Sequence, residues 1–451
     1  MQFTKALQHT VGLKALTAIL TFGINLLMVR ILGAVGSGGF FYAIALLTFF
    51  TLAISWCMES GITYYAIKNQ SDIPSIIIFI MPWLVLQAIA SWLLLHFLND
   101  NPLPQLSWVF VISNLMMVYF SALFYAKKWF ISLNVIVSLV NVMVLLSLAL
   151  VYLKYGDARE QFYNPLPDQP GPLQPKPVKD VGNIYHTQGG YMATLVYVAG
   201  FLCQALALAV FFLVKIKLPV AVPVFNPNLI RNIFYYSTIA LISNLLFFLV
   251  TRIDYFFVDK YCSAVALGNY VQVSKMGQLL VLLPSMMAGV IFPYSTAENN
   301  EGYLAKLQSL CRLTGLLFVA AAAIIILTGY WMFPFLYGDG LNMMYPAILL
   351  YLPGYYCLGM VTLLAAYVAG KGLVQNNMIA SSIALVAVIA GDVLLIPQWG
   401  IYAAAAVSSL AYFLCMVYLL WIYKKGFGVS PASFFIAGRG DIQFLLSRLK
   451  K

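Results

Sequence analysis

The fold is decided by residues 373–423, which read LVQNNMIASSIALVAVIAGDVLLIPQWGIYAAAAVSSLAYFLCMVYLLWIY. They hold two apolar runs, at roughly 373–396 and 399–423, and the first run carries a single charged residue, Asp392. A helix of ~20 apolar residues matches the hydrocarbon thickness of a bilayer. The stretch therefore predicts two transmembrane helices joined by a turn of a few residues.

Similar runs recur along the chain, and we predict about twelve transmembrane helices. Their approximate ranges are 9–31, 39–65, 73–97, 107–125, 131–153, 191–214, 231–257, 265–294, 312–336, 341–369, 373–396 and 399–423. The composition agrees, since hydrophobic residues make up 63% of the chain and charged residues 9%, with a mean hydropathy of +0.90. Soluble domains average ~45–50% apolar and ~25% charged residues. The sequence thus predicts an all-α polytopic membrane protein, and it leaves no segment for a soluble catalytic domain.

The same order of features occurs twice, with a shift of 229 residues. The shift places Gly268 on Gly39 and Asp254 on Asn25, and in both halves a polar-striped helix leads through a short turn into a long second helix. This weak internal repeat predicts two six-helix bundles, with the substrate site between them and alternating access by rocking of one bundle against the other. The predicted divisions are 1–214 and 215–423 for the bundles and 424–451 for a basic tail.

The distribution of Lys and Arg predicts the orientation. With the N-terminus inside, seventeen of the 25 basic residues fall on the cytoplasmic side, six fall outside and two lie within spans. Short cytoplasmic loops collect basic residues, so both termini are predicted to be cytoplasmic. The net charge of +11 reflects this bias and favours contact with anionic membrane lipids. The sequence contains no basic patch with interleaved aromatic residues, so it does not predict a nucleic-acid surface.

One connection is long. Residues 154–190 are polar and include PLPDQPGPLQPKP, with six prolines, which predicts a poorly ordered extracytoplasmic loop of polyproline character. A tolerated insertion and a loop that faces substrate or partner both account for it. The six cysteines and three histidines are scattered, so we expect no disulfide framework, metal site, cofactor or catalytic residue.

Helical spacing predicts which faces line the cavity. Thr17, Thr21 and Asn25 recur every four residues in the first span, and Gln272 and Lys275 share one face of the eighth. Polar side chains are costly against lipid, so these faces are expected to face water.

The charged residues inside predicted spans include Glu59, Arg252, Asp254, Lys275 and Asp392. A charge at mid-helix costs ~2.5–3.5 kcal/mol on insertion scales, so each needs a partner or a hydrated cavity. The last four lie toward the outer ends of their spans, where snorkelling to the interface and an ion pair such as Arg252 with Asp254 both remain open. Glu59 lies farther from the end of its span and continues a polar stripe, which favours a cavity-facing or proton-linked role.

Two blocks carry a resemblance to a known family. The first is residues 24–62, with an Arg-x-Leu-Gly turn at Arg30–Gly33 and a glycine followed by aromatic residues at Gly39–Tyr42. The second is residues 251–298, with Asp254, a Gly-x-Tyr motif and a Phe-Pro pair. Together with the twelve-span plan, they resemble bacterial O-antigen and oligosaccharide repeat-unit flippases of the multidrug/oligosaccharidyl-lipid/polysaccharide exporter superfamily.

The resemblance implies that the chain is not an enzyme and that it flips an undecaprenyl-pyrophosphate-linked oligosaccharide across the bacterial inner membrane. The cargo would serve O-antigen, capsule or exopolysaccharide synthesis, with membrane lipids and polysaccharide polymerase machinery as further partners. Cationic side chains suit its diphosphate, and hydroxyl and amide groups suit its glycan. The candidates for substrate binding are Arg252, Lys275, Arg30, Asn25 and Gln272. The candidates for ion coupling are Glu59 and Asp254.

Other classes remain open. A multidrug or cation antiporter would share the fold, although the deep acidic residue usual in its first helix is replaced here by Thr21 and Asn25. A peptidoglycan-precursor flippase typically has fourteen spans. A membrane glycan polymerase or ligase would carry a large extracytoplasmic loop rich in Arg and His, whereas residues 154–190 hold one of each.

Overall fold

The computed structural model describes residues 2–68, 70–97, 106–127, 129–156, 187–216, 226–297 and 301–435. Most of the Pro-rich connection and the end of the basic tail lie outside these residues, so the expectations for both stay predictions. The described residues form twelve α-helices. They are α1 (Gln2–Ser55), α2 (Met58–Lys68), α3 (Ile73–Phe97), α4 (Ser107–Ala126), α5 (Phe130–Tyr155), α6 (Gln188–Lys215), α7 (Pro227–Tyr261), α8 (Ala264–Ala297), α9 (Glu301–Tyr337), α10 (Met344–Gly370), α11 (Val374–Trp399) and α12 (Ile401–Phe427).

The length and apolar composition of these helices indicate which of them can cross a membrane. Ten described segments are long and apolar enough to cross a membrane. One of them, within α1, holds both the first predicted span and most of the second. Helix α8 is not among the ten. The predicted all-α polytopic membrane fold is confirmed.

The first two predicted spans are joined without a loop. Helix α1 has 54 residues, which at 1.5 Å per residue is far longer than the ~30 Å of one bilayer crossing. Its helical dihedral angles are interrupted at Gly33, with φ 68° and ψ −177°, a conformation that glycine adopts without a steric penalty. A kink at Gly33 therefore takes the place of the outer turn expected after Arg30.

The second predicted span is interrupted at Trp56 and Cys57. Both residues have positive φ, 55° and 48°, and they separate the end of α1 at Ser55 from the start of α2 at Met58. The left-handed conformation costs a non-glycine residue ~1–3 kcal/mol and persists only where the surrounding structure holds it. The structure thus corrects the expectation of one continuous helix over 39–65.

Hydrogen bonds hold this break in place. The Gln87 side chain donates from Nε2 to the carbonyl oxygen of Ile54 at 2.6 Å and accepts from the Tyr119 hydroxyl at 2.6 Å. The Trp56 indole donates to the Thr238 hydroxyl at 2.9 Å. A helix end inside a membrane must find such partners within the protein, because lipid offers none. The side chains of three other helices supply them here.

The described chain forms two compact units that divide within α7, after Leu245. Unit 1 contains α1 to α6 and the beginning of α7, and unit 2 contains the rest of α7 and α8 to α12. The bundle limits predicted from the sequence, 1–214 and 215–423, stay a prediction.

Unit 1 has an apolar core between α2, α3, α4, α6 and the start of α7. Its fully buried members include Phe124, Phe212 and Ile233. Helix α2 approaches α7 closely at Gly61, where an added Cβ would lie 2.5 Å from the Ser237 hydroxyl. Small residues at such contacts let membrane helices pack backbone to backbone.

Unit 2 is built around α10, which packs against α8 on one side and α12 on the other. At Gly354 an added Cβ would lie 2.6 Å from Cα of Ser409, so α10 and α12 meet at backbone distance. At Gly277 it would fall within the Tyr355 ring, only 1.8 Å from Cε1. These glycines bring α8, α10 and α12 close enough for their polar side chains to meet.

Candidate functional site

Arg252 lies on α7 in unit 2, and hydroxyl groups fix its guanidinium. It donates to Oγ of Ser274 on α8 at 2.9 Å and to the hydroxyl of Tyr255, one turn along its own helix. Its guanidinium also lies 5.1 Å from the centroid of the Tyr255 ring, a distance at which the ring attracts a cation. The position of this cation is thus set by α7 and α8 together.

Lys275 follows Ser274 on α8 and is close enough to Arg252 for the two cations to interact. Gln272, which is fully buried, lies one turn earlier on the same helix. Like charges repel strongly where water is excluded, so two neighbouring cations favour an anion beside them. Three of the predicted substrate candidates therefore lie close together in unit 2.

Asp254 is fully buried two residues after Arg252, and its carboxylate is well satisfied. It accepts from the backbone N–H of Tyr255 at 2.9 Å, from the Tyr270 hydroxyl and from the Ser408 hydroxyl at 3.3 Å. Arg252 and Asp254 attract each other electrostatically, but their hydrogen bonds go to different partners. Asp254 thus ties α7 to α8 and α12.

Asp392 of α11 adds a second buried carboxylate. It is 0% exposed, neither of its oxygens has a hydrogen-bond partner among the described residues, and it interacts electrostatically with Asp254 and Tyr270. Neither carboxylate therefore reaches the interface by snorkelling. The sequence could not decide this, because the position of a residue along a span does not reveal which way its side chain points around the helix axis. Two ionised carboxylates in one buried site repel each other, so the pair favours either protonation of one carboxylate or a nearby cation.

Tyrosines from α8, α10 and α12 lie around these charges. Tyr351 stacks on Tyr355 with ring centroids 4.1 Å apart, and it also stacks on Tyr270 and Tyr412. The Tyr355 hydroxyl donates to the carbonyl oxygen of Val273 at 2.7 Å. Sequence reasoning missed this cluster, although two tyrosines four residues apart in an apolar span were a usable signal.

The remaining candidates lie in unit 1. Asn25 is 7% exposed on α1, and Arg30 is half-buried on the same helix, three residues before the Gly33 kink. Glu59 is half-buried in the first turn of α2, directly after the break at residues 56–57. The predicted sites are thus divided between the two units. Within the described ranges no group of three or more His, Cys, Asp or Glu residues could hold a metal ion.

Comparison with known proteins gives a family match to part of the chain and a fold for nearly all of it. Residues 188–346 match the family of polysaccharide biosynthesis proteins, a segment that includes Arg252, Asp254, Gln272 and Lys275. No curated protein matches the sequence.

Solved structures match over nearly the whole chain. The lipid II flippase MurJ in an inward closed conformation has a TM-score of 0.63 at 14% identity, with 93% of this chain and 89% of that chain covered. A multidrug resistance MATE transporter of the MOP superfamily in an inward-facing conformation has a TM-score of 0.62 at 11% identity, covering 91% and 94%. A MOP superfamily transporter from Pyrococcus furiosus has a TM-score of 0.55 at 12% identity, covering 94% and 95%.

These matched proteins are flippases and transporters, in agreement with the prediction that the chain is not an enzyme. The resemblance seen in the sequence is confirmed: the chain has the fold of the multidrug/oligosaccharidyl-lipid/polysaccharide exporter superfamily, and residues 188–346 match a family of polysaccharide biosynthesis proteins.

Proposed function

We propose that this protein flips an undecaprenyl-pyrophosphate-linked oligosaccharide from the inner to the outer leaflet of the bacterial inner membrane, by alternating access. The observation that carries the proposal is that Arg252 and Lys275 lie close enough to interact electrostatically, in the segment that matches polysaccharide biosynthesis proteins. A diphosphate carries the charge and the acceptor oxygens that such a pair binds. Arg30, Asn25 and Gln272 remain further candidates for contacts to the cargo.

The fold is compatible with a lipid-linked cargo. One protein with this fold is a lipid II flippase, and others are multidrug transporters, so the fold alone leaves both kinds of cargo open. The paired cations favour the lipid-linked diphosphate over a cationic drug, because they would repel a drug of like charge. Release of the cargo to polysaccharide polymerase machinery follows from this proposal.

A transport assay tests this function. The purified protein would be placed in liposomes that carry an undecaprenyl-pyrophosphate-linked oligosaccharide, and flipping would be measured as access of the glycan to an impermeant glycosidase. We expect the protected fraction to fall with time in liposomes that contain the protein and to stay constant in empty ones. Transport of a fluorescent organic cation without any movement of the lipid-linked glycan would support the antiporter alternative instead.

We further propose that flipping is coupled to an ion through the buried carboxylates. Asp254 and Asp392 support this step in unit 2, because their mutual repulsion favours uptake of a proton or a monovalent cation. Glu59 is the coupling candidate in unit 1. The charge at each site would change as it is exposed to one side of the membrane and then the other.

The coupling proposal predicts a specific defect in Asp392→Asn. An amide cannot take up a proton, so we expect the stimulation of flipping by an imposed proton or sodium gradient to fall at least tenfold, with flipping in the absence of a gradient retained. The measurement is the ratio of rates with and without each gradient. The matched control is Asp259→Asn on α7, which removes a carboxylate outside the pair. The same ratio measured for Asp254→Asn and Glu59→Gln identifies which other residues contribute to ion coupling. An unchanged ratio in Asp392→Asn would contradict its role.

The proposed location predicts a topology with both termini cytoplasmic. Reporter fusions at Asp168 and at Lys451 are expected to report opposite sides of the inner membrane, because seventeen of the 25 basic residues fall on the predicted cytoplasmic side. A fusion at Lys371, between α10 and α11, should report the same side as Lys451. Finding Asp168 and Lys451 on one side would overturn the predicted number of spans.

A further inference from the structure

Unit 1 contains an elongated cavity between α2, α4, α5 and α6. Its volume is about 370 Å³. One face of α4 lines it, because the lining residues recur at positions i, i+3, i+4, i+7 and i+11, namely Asn114, Met117, Val118, Ser121 and Tyr125. At 1.5 Å per residue, this face is about 16 Å long from Asn114 to Tyr125. The cavity therefore extends along the helix axis over three turns.

The cavity leads inward from the end of unit 1 that the sequence predicts to be cytoplasmic. Tyr125 lies beside the last residue of α4. Glu59 lies about 13 Å before the end of α2 at Lys68, and Gln204 lies about 16 Å before the end of α6 at Lys215. Since the hydrocarbon layer is ~30 Å thick, these two side chains lie near its middle. The cavity thus connects the end of α4 with Glu59.

Polar side chains are spread along the length of this cavity. They are hydroxyl, amide and carboxyl groups from three helices: Glu59, Thr63, Asn114, Ser121, Tyr125 and Gln204. Hydroxyl and amide groups can both donate and accept hydrogen bonds, as water does. A water molecule occupies ~30 Å³ of liquid and needs two to four polar partners, so the cavity is both roomy and polar enough for several waters.

Glu59 is the group of this cavity that can change its charge. Its Oε2 is buried and has no hydrogen-bond partner in the described part of the chain. The titratable groups near it are Cys57 and Tyr119, which interact with it electrostatically, and Tyr125, which shares the cavity. Thiols and phenols are ordinarily neutral at pH 7. Among the described lining residues, those of α5 and α6 are neutral, and Glu59 is the only Asp, Glu, Lys, Arg or His.

We propose that this cavity is a hydrated path through which Glu59 exchanges a proton with the cytoplasm. The carboxyl group releases its proton to a water molecule in the cavity and becomes a carboxylate, and the reverse step takes up a proton from hydronium. The inference rests on the proposed coupling role of Glu59. It assigns the side of the membrane with which Glu59 communicates in this conformation, and it places the path entirely within unit 1.

The first test measures whether water reaches the wall of the cavity from the cytoplasmic side. The full-length Ser121→Cys variant in membrane vesicles of either orientation would be treated with a charged, membrane-impermeant thiosulfonate. Peptide mass spectrometry reads the modification at this position separately from the native cysteines. Val210→Cys is the matched control, because residue 210 is as far from the end of α6 as residue 121 is from the end of α4, and its 58% exposed side chain lies outside the cavity.

We expect Ser121→Cys to react at least about tenfold faster than Val210→Cys from the cytoplasmic side, because the reactive thiolate forms in water and not in lipid. Its reaction from the opposite side should be slower. Equal rates for the two variants, or faster reaction from the extracytoplasmic side, would overturn the path. This result does not depend on whether the protein flips a lipid-linked glycan.

The second test measures the use of the path during transport. Ser121→Phe fills the cavity, so we expect it to reduce the acceleration of flipping by a proton gradient to the level of Glu59→Gln, with flipping in the absence of a gradient retained. Val210→Phe is the control and should respond to the gradient as the unmodified protein does. Loss of the acceleration in Glu59→Gln but not in a well-folded Ser121→Phe would overturn the path and leave the coupling role of Glu59 in place. Full acceleration in Glu59→Gln would overturn both.

Discussion

Replacing Arg252 by glutamine is expected to slow flipping of the lipid-linked oligosaccharide by about 100-fold. Glutamine can still donate a hydrogen bond toward Ser274 and Tyr255, the two partners of the guanidinium, but it carries no charge. Removing one member of a desolvated charge pair typically costs ~2–5 kcal/mol, and each 1.4 kcal/mol is a factor of ten. The measurement is the initial rate of glycan exposure in liposomes.

The controls separate lost charge from lost structure. Lys260→Gln removes a cation from an exposed position at the end of α7 and should flip at the normal rate. Arg252→Lys keeps the charge but loses the planar guanidinium, so its flipping rate should lie between those of Arg252→Gln and Lys260→Gln. If Arg252→Gln is well folded and flips normally, the diphosphate is bound elsewhere and the proposed role of this cation is lost.

Replacing Gly277 by leucine is expected to abolish folding of unit 2. Even a methyl group at this position would lie 1.8 Å from Cε1 of Tyr355, whose ring cannot retreat because it stacks on Tyr351 and its hydroxyl bonds the backbone at Val273. Overpacking by one methylene or more usually costs ~1–3 kcal/mol, and a clash with a fixed ring lies at or above that range. Gly277→Ala should therefore already be strongly destabilised, although alanine is the better helix former by ~1 kcal/mol.

Fluorescence-detected size-exclusion chromatography after heating would measure this effect as the temperature at which the monodisperse fraction halves. Gly315→Ala on α9 is the matched control, because its nearest neighbour is Tyr356 at an ordinary 3.5 Å. Combining Gly277→Ala with Tyr355→Ala should recover part of the loss by making room. Normal stability of Gly277→Leu would mean that α8 and α10 do not pack as described.

The sequence was sufficient to predict the fold class, because length and hydropathy alone identify helices that cross a membrane. It did not predict the two interruptions of regular helix. At Gly33 a glycine was read as part of a turn, whereas one residue with positive φ bends a helix that otherwise continues. At Trp56 and Cys57 neither residue signals a break, since the conformation is imposed by partners on distant helices.

The charged site was predicted in part. Arg252, Lys275, Gln272 and Asp254 were named because polar residues in apolar spans are costly, and the structure places them on adjoining stretches of α7 and α8. The proximity of Asp392 to Asp254 was not predicted, because 138 residues separate them along the chain and only the packing of α11 brings them together. Their functional roles stay predictions.

The kink at Gly33 makes the fold sensitive to the number of residues on either side of it in α1. Helical residues are placed 100° apart around the axis, so a single inserted residue on either side of Gly33 would turn one span of α1 relative to the other by more than a quarter of a revolution. Every side chain beyond that point would then meet a different neighbour. A loop absorbs an added residue, whereas this junction has none to absorb it. Insertions and deletions near Gly33 should therefore be selected against as strongly as charged substitutions in the core.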